Sequence, residues 1–221
     1  MKSPTRIHGL IMMATLIALV GLPLVAGEYY LLLATKIMAL AIFAISLDLL
    51  IGYTGMISFG HAAFLGVGAY AGAMLAPEYE AANMFITLPL SMLAAGAFAL
   101  LIGLLVVRTT GIYFIMVTLA FAQMTFYAVH DSSFFGGSDG RLIFSKPEVR
   151  IGDWVLTDFT GEASYYYLVL AFLLSAYLVC RMLVASPFGQ AIQGIKANEK
   201  RMRALGYPTT RYRLISFVIA G

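Results

Sequence analysis

The sequence predicts an all-α polytopic bundle in the cytoplasmic (inner) membrane, broken once by a glycine-rich segment at membrane depth. Three observations carry this. Of 221 residues, 61% are hydrophobic and 11% charged, whereas a globular domain has roughly 45–50% apolar and 25% charged residues; the mean hydropathy is +0.89. Apolar runs about as long as the roughly 20 residues needed to span a bilayer recur along the chain. Between two of them lies GYTGMISFGHAAFLGVGAYAG, residues 52–72, too apolar for a solvated linker and too rich in glycine for one uninterrupted helix.

Lys2 and Arg6 precede the first apolar run, residues 10–26. A basic start before an apolar stretch also fits a secretory signal, but no small-x-small cleavage site with a polar mature region follows, so a retained helix is expected. The second run, 31–51, carries Lys36 near its start and Asp48 near its end. Twelve residues apart along a helix is about 18 Å, too far to pair. Lys36 and Asp48 snorkel to opposite interfaces, or Asp48 orders the turn that follows it.

Within the glycine-rich stretch, residues 52–60 read as non-helical backbone. Such backbone persists in a membrane only where protein buries it or where it lines a wet cavity. Gly52, Tyr53, Gly55, Ser58, Gly60 and His61 are therefore candidates for a pathway or intramembrane break. From His61 onward, Ala62 and Gly66 share one helical row and Gly68 and Gly72 another; such rows let helices approach closely, and Gly66, Gly68 and Gly72 are expected at helix contacts. His61 is expected to hydrogen-bond at a helix start rather than to catalyse.

Residues 84–107 form the next run, ended by Arg108, and Thr109, Thr110 and Gly111 turn the chain into the run 112–129. Met116, Ala120, Gln123 and Tyr127 share a face of that helix. Gln123 either hydrogen-bonds a neighbouring helix or lines the route of a polar solute. Residues 131–164 form one long polar loop with a glycine-rich turn at Gly136, Gly137, Ser138, Asp139 and Gly140 and a strand-like patch at 151–156. A nucleotide site there is not expected, for want of a following helix and a lysine. Residues 165–184 span again.

In the polar segment 186–212, Ser186 is a helix N-cap with Pro187 at the first helical position, and Gly206 and Pro208 supply the stop. Phe188, Ile192, Ile195, Met202 and Leu205 make an apolar stripe flanked by Lys196, Lys200, Arg201 and Arg203. Asn198 before Glu199 allows a second short helix, so a bent pair fits as well as a single helix. Residues 214–221 begin a further apolar helix too short to span. The chain is therefore expected to be incomplete at its C-terminus, a single transmembrane domain over 1–221.

Charge orients the bundle. With the N-terminus cytoplasmic and six crossings, one side receives Lys2, Arg6, Arg108, Arg181, Lys196, Lys200, Arg201, Arg203, Arg211 and Arg213, and the other only Arg141, Lys146 and Arg150. Ten against three obeys the positive-inside rule. The 131–164 loop is then periplasmic and the 186–212 segment cytoplasmic. No GxxxxGK[ST], HExxH or GxSxG motif and no Cys/His cluster occurs, and Cys180 is the single cysteine. Neither an enzyme nor a self-powered pump is expected, and no cofactor or metal.

Four stretches then carry a resemblance: SLDLLIGYTGMISFGHAAFLGVGAYAGAML from Ser46, GIYFIMVTLAFAQM from Gly111, GGSDG from Gly136, and SPFGQAIQGIKANEKRMRALGYPTTRYRLISFVIAG from Ser186. Together, in matching order over nearly the whole chain, they resemble the permease subunit of branched-chain amino acid ATP-binding cassette importers. The resemblance implies that Ser186, Pro187, Phe188, Gly189, Ile192, Ile195, Glu199 and Gly206 belong to a cytoplasmic coupling element that docks on a separate ATPase subunit, with Phe188 and Ile192 as apolar anchors. A plain membrane-surface helix is the alternative for this segment. The resemblance also implies a second permease subunit in a heterodimer, a periplasmic substrate-binding protein and surrounding lipid as partners, and no nucleic acid. The implied substrate is a branched-chain amino acid. Urea or short amides remain open within the family, and an ion-coupled secondary transporter outside it.

Overall fold

In the computed structural model, residues 6–77, 82–137, 140, 148–151, 154–158 and 161–221 are described. The expectations for Lys2, Ser138, Asp139, Arg141 and Lys146 lie outside them. The chain runs through α1 (Arg6–Val25), α2 (Glu28–Asp48), a wider π turn (Leu49–Thr54), α3 (His61–Leu75), α4 (Met84–Val106) and α5 (Ile112–His130). After the loop come α6 (Glu162–Ala185), α7 (Pro187–Ala197), α8 (Glu199–Ala204) and α9 (Thr209–Ala220). Within the loop, β1 (Glu148–Ile151) and β2 (Trp154–Asp158) pair antiparallel with Glu148 opposite Asp158.

Among the described residues, four stretches are long and apolar enough to cross a membrane: Glu28–Thr54, Met84–Val106, Ile112–His130 and Glu162–Ala185. Met13–Val25 and His61–Leu75 are apolar but shorter; fifteen residues of α3 reach about 22 Å at 1.5 Å per residue. The six runs expected to cross are thus all helical, four of them at full span length. Large apolar side chains such as Ile17, Leu40, Leu93 and Leu104 point outward, as in helices whose surroundings are as apolar as their packing partners.

Two apolar clusters hold the helices together. Leu31, Met38, Tyr166 and Leu170 join α2 to α6, with Leu19 and Leu22 of α1 against them, and the Tyr166 hydroxyl donates to the Leu19 carbonyl at 2.7 Å. The larger cluster gathers Leu49, Leu50, Met56, Phe64, Ile102, Val106, Phe114, Ile192 and Phe217. Phe217 stands edge-on to Phe64, with ring centroids 5.3 Å apart, and to Phe114, 6.1 Å apart. The run 214–221 is therefore the end of a helix inserted in the core, α9 resting on α4 where Gly103 admits Leu214 and Phe217.

Small residues stand at the α3–α4 approach in one row of α3 and not in the other. A Cβ at Gly68 would stand 3.7 Å from that of Ala95, and one at Gly72 would be 3.0 Å from the Ser91 hydroxyl. Around Gly66 there is open space. Its row, with Ala62, lies on the far side of α3, so Gly66 is not a packing contact.

Candidate functional site

The break is shorter than its glycines suggest. Helix continues beyond Asp48 as the π turn through Thr54, so Gly52 and Tyr53 are helical and the irregular backbone covers only 55–60. Three donors converge on one carbonyl to end the helix: the Thr54 hydroxyl at 2.5 Å, the Gly55 amide, and the Met56 amide at 3.0 Å all reach Leu50. Gly55 turns the chain out at φ 73, a left-handed conformation that a Cβ disfavours. Asp48 makes no side-chain cap to this turn, but its carboxylate packs over Gly52, where a Cβ would collide with it.

From Gly55 to Gly60 the backbone is irregular and burial alternates. Met56, Ser58 and Gly60 face the core, whereas Gly55, Ile57 and Phe59 face out. Gly60 is seated on α5 so closely that a Cβ would overlap the Thr118 carbonyl. Beside it the Phe59 amide donates to the Thr118 hydroxyl at 3.3 Å, and that hydroxyl donates to Ile115 at 2.9 Å.

His61 opens α3 and ties it back to α2. The Ser46 hydroxyl lies 2.8 Å from His61 Nε2 and 2.8 Å from the Phe43 carbonyl. A hydroxyl has one proton, which goes to the carbonyl, so Nε2 carries the hydrogen and donates to Ser46. Nδ1 is then a buried bare acceptor without a partner, as the Ser58 hydroxyl is also unpartnered. Phe43 and Phe64 enclose the ring at 5.2 and 5.5 Å. His61 is a brace between helices.

On the outward side of the break, α3 and α5 border a groove of about 640 Å³. Phe59 stands at one end, and His130, Gly137 and Gly140 at the other, with Ala62, Gly66, Tyr70, Gln123 and Phe126 between. Phe135, in the loop after α5, meets Tyr70 edge-on at 5.9 Å and so folds the loop over the end of α3. The groove wall is aliphatic and aromatic with a few neutral polar groups, the usual make-up of a site for a small amphipathic molecule. Of the residues expected at a pathway, only Gln123 lines this groove. Ser58, Gly60 and His61 are turned into the core, Tyr53 packs on the larger cluster, and Gly52 and Gly55 lie beneath Asp48 and Lys196.

The 186–212 segment folds as the bent pair, α7 then α8. The Ser186 hydroxyl accepts from the Gly189 amide at 3.3 Å, the Asn198 side chain from the Arg201 amide at 3.0 Å, and Gly206 ends α8 at φ 87. The α7 part of its apolar stripe packs inward, whereas Leu205 of the stripe is 67% exposed. Ile192 is 1% and Ile195 5% exposed, and Phe188 stacks on Tyr212 at 5.4 Å. Gly189 lies against the Leu183 and Val184 carbonyls, where a Cβ would overlap them. Phe188 and Ile192 thus pack α7 against its own bundle, Ile192 buried and Phe188 partly so. The outward surface consists of Pro187, Gln190, Lys200, Arg201, Arg203 and Leu205. Inside it, Glu199 joins Arg203 at 2.8 Å, Thr209 at 3.2 Å and Arg213 at 3.6 Å, and Arg213 donates to the Thr109 carbonyl at 3.2 Å. Lys196 donates to the Gly52 carbonyl at 2.5 Å.

The arrangement is a cationic, amphipathic helix pair bonded to a broken helix that borders a groove. A family model described as the branched-chain amino acid transport system permease component matches residues 29–221. The chain belongs to this permease family. Among curated relatives, the high-affinity branched-chain amino acid transport system permease protein LivM of Salmonella typhimurium is 29% identical over 231 aligned positions, covering 96% of this chain and 54% of the relative. LivM of Escherichia coli is 28% identical over the same extent. This permease chain spans about half the length of the curated relatives it matches. No solved structure matches it.

The family match covers the break, the groove and α7 to α9 of this permease. Phe59 and Tyr70 in the groove, Lys196 on the Gly52 carbonyl and Arg213 on the Thr109 carbonyl were not singled out as site residues from sequence. For Phe59 the sequence carries no signal, since the alternation through 55–60 is one of burial and not of residue type; for Lys196 and Arg213 there is none either, because each meets a carbonyl far away in the chain.

Proposed function

We propose that this permease subunit carries branched-chain amino acids across the inner membrane, driven by ATP hydrolysis in a separate subunit that docks on α7 and α8. The N-terminus is cytoplasmic, the 131–164 loop periplasmic and the 186–212 segment cytoplasmic. A periplasmic binding protein delivers substrate to the loop side, and a second permease subunit closes the groove. The observation that carries this reading is the bonding of α7 and α8 to the break and to the base of α5. A partner that moved the pair would strain both, biasing the bundle between two openings. Since the apolar stripe is used internally, docking falls to the outward cationic face, and the complementary surface on the ATPase is acidic.

The groove supports an aliphatic substrate over urea. Its Phe59, Ala62, Leu119 and Phe126 offer apolar contact to a branched side chain, and Gln123, Thr125 and Tyr70 offer neutral polar groups to the zwitterion. The ion-coupled alternative rests on Lys36, Asp48 and the broken segment; the two charges are exposed on the bundle surface, and the buried polar side chains among the described residues include no carboxylate. The test is uptake of radiolabelled leucine by proteoliposomes holding the permease, its partner permease and ATPase, with the binding protein inside or outside. ATP-dependent uptake, competed by valine and isoleucine, is expected. Uptake driven by an ion gradient without ATP, or of urea in place of leucine, would overturn the reading.

A further inference from the structure

Two polar ties run from the α7–α8 pair to different parts of the bundle. In the first, the stem of Lys196 lies across Gly55, with its Cγ 3.0 Å from where a Cβ would stand. The ammonium group reaches the carbonyls of Gly52 at 2.5 Å and Ile51 at 3.5 Å. These carbonyls belong to the last turn of the α2 helix, where the helix dipole places partial negative charge that a cation complements. In the second tie, Glu199 holds Arg213, and Arg213 holds the Thr109 carbonyl in the turn before α5.

Each tie leads to a different wall of the groove. Four residues after Gly55, the chain held by Lys196 reaches Phe59 at the end of the groove. Helix α5, which starts just after Thr109, supplies Leu119, Gln123, Phe126 and His130. The two walls meet at the 3.3 Å hydrogen bond from the Phe59 amide to Thr118, long for such a bond and readily lost. A rotation of the helix pair therefore pulls the two walls unequally, and the bond between them is where separation begins.

We infer that Lys196 is a positioning residue that transmits displacement of the α7–α8 pair to the helix break, with the Glu199–Arg213 pair as the opposing tie to α5. This rests on the transport reading above. Gly55 serves the same device, since a side chain there would lift the Lys196 stem from the backbone.

The experiment compares Lys196→Met and Lys196→Arg in the complete transporter in proteoliposomes, measuring substrate uptake and ATP hydrolysis per assembled complex. Lys196→Met is expected to lower uptake at least about tenfold while unstimulated ATP hydrolysis stays within about twofold, a loss in the usual range of coupling between sites. Lys196→Arg is expected to restore most of the uptake, since it keeps charge and reach. Hydrogen exchange reads the tie without transport: the Gly55 and Met56 amides are expected to exchange faster in Lys196→Met. An unchanged ratio of ATP hydrolysed to substrate moved in Lys196→Met overturns the tie alone. Absence of ATP-driven uptake in the unsubstituted complex overturns the transport reading, and this inference with it.

Discussion

Gly60 and Gly66 lie in the same glycine-rich stretch of the sequence, yet they occupy opposite environments. At Gly60 a methyl group would meet the Thr118 backbone carbonyl, which cannot swing away as a side chain could. Gly60→Ala is expected to destabilise the protein by about 1–3 kcal/mol, the usual cost of overpacking. Gly66→Ala, facing the groove, is expected to change stability by less than about 0.5 kcal/mol. Thermal unfolding of the two variants in detergent checks both. Phe188 shows the same dependence on surroundings. Phe188→Asp removes the stack on Tyr212 and places a charge beside it, so lost transport in that variant reports internal packing before it reports docking. Which glycine is crowded and which aromatic is internal depend on residues some sixty or twenty-four positions away, beyond any local pattern.

At the scale of elements, the α7–α8 pair combines legible and illegible features. Its start at Ser186 and Pro187, its restart at Asn198 and its stop at Gly206 were readable because capping is a matter between residues three or four apart. Asn198→Ala is expected to cost about 1 kcal/mol, the typical worth of an N-cap. It would also free the Arg201 amide, seen as faster hydrogen exchange in α8 with little change in α7. The stripe of Phe188, Ile192 and Ile195 was equally readable as a stripe. Its direction was not, because an apolar face fits a partner's groove and the protein's own core equally well. The helix break was placed a few residues early for a related reason. Glycine at 52 is compatible with the π turn, whose extra width leaves the Ile51 and Gly52 carbonyls open to Lys196.

For the whole molecule, the decisive question is which surface meets lipid and which meets solute. The α3–α5 groove is proposed as the wet one. In the assembled complex, with Cys180 replaced, cysteines at Ala62 and Gln123 are expected to react with a membrane-impermeant thiol reagent at least about tenfold faster than one at Ser58, since access governs thiol reactivity. Slow reaction at Ala62 and Gln123, with fast reaction only towards lipid-soluble reagents, would show a groove filled by lipid. By itself the sequence determined the membrane class, the helical runs, the caps of the polar segment and the presence of a break. These follow from hydropathy summed over a span and from hydrogen bonds between near neighbours. Only the tertiary structure decided that Ser58, Gly60 and His61 turn inward while Phe59 and Gln123 share a groove, and that Lys196 and Arg213 reach the Gly52 and Thr109 carbonyls. Helices apolar on every side carry no polarity to tell a neighbour from lipid, so the facing of each residue is settled by shape and by polar contacts between distant parts of the chain.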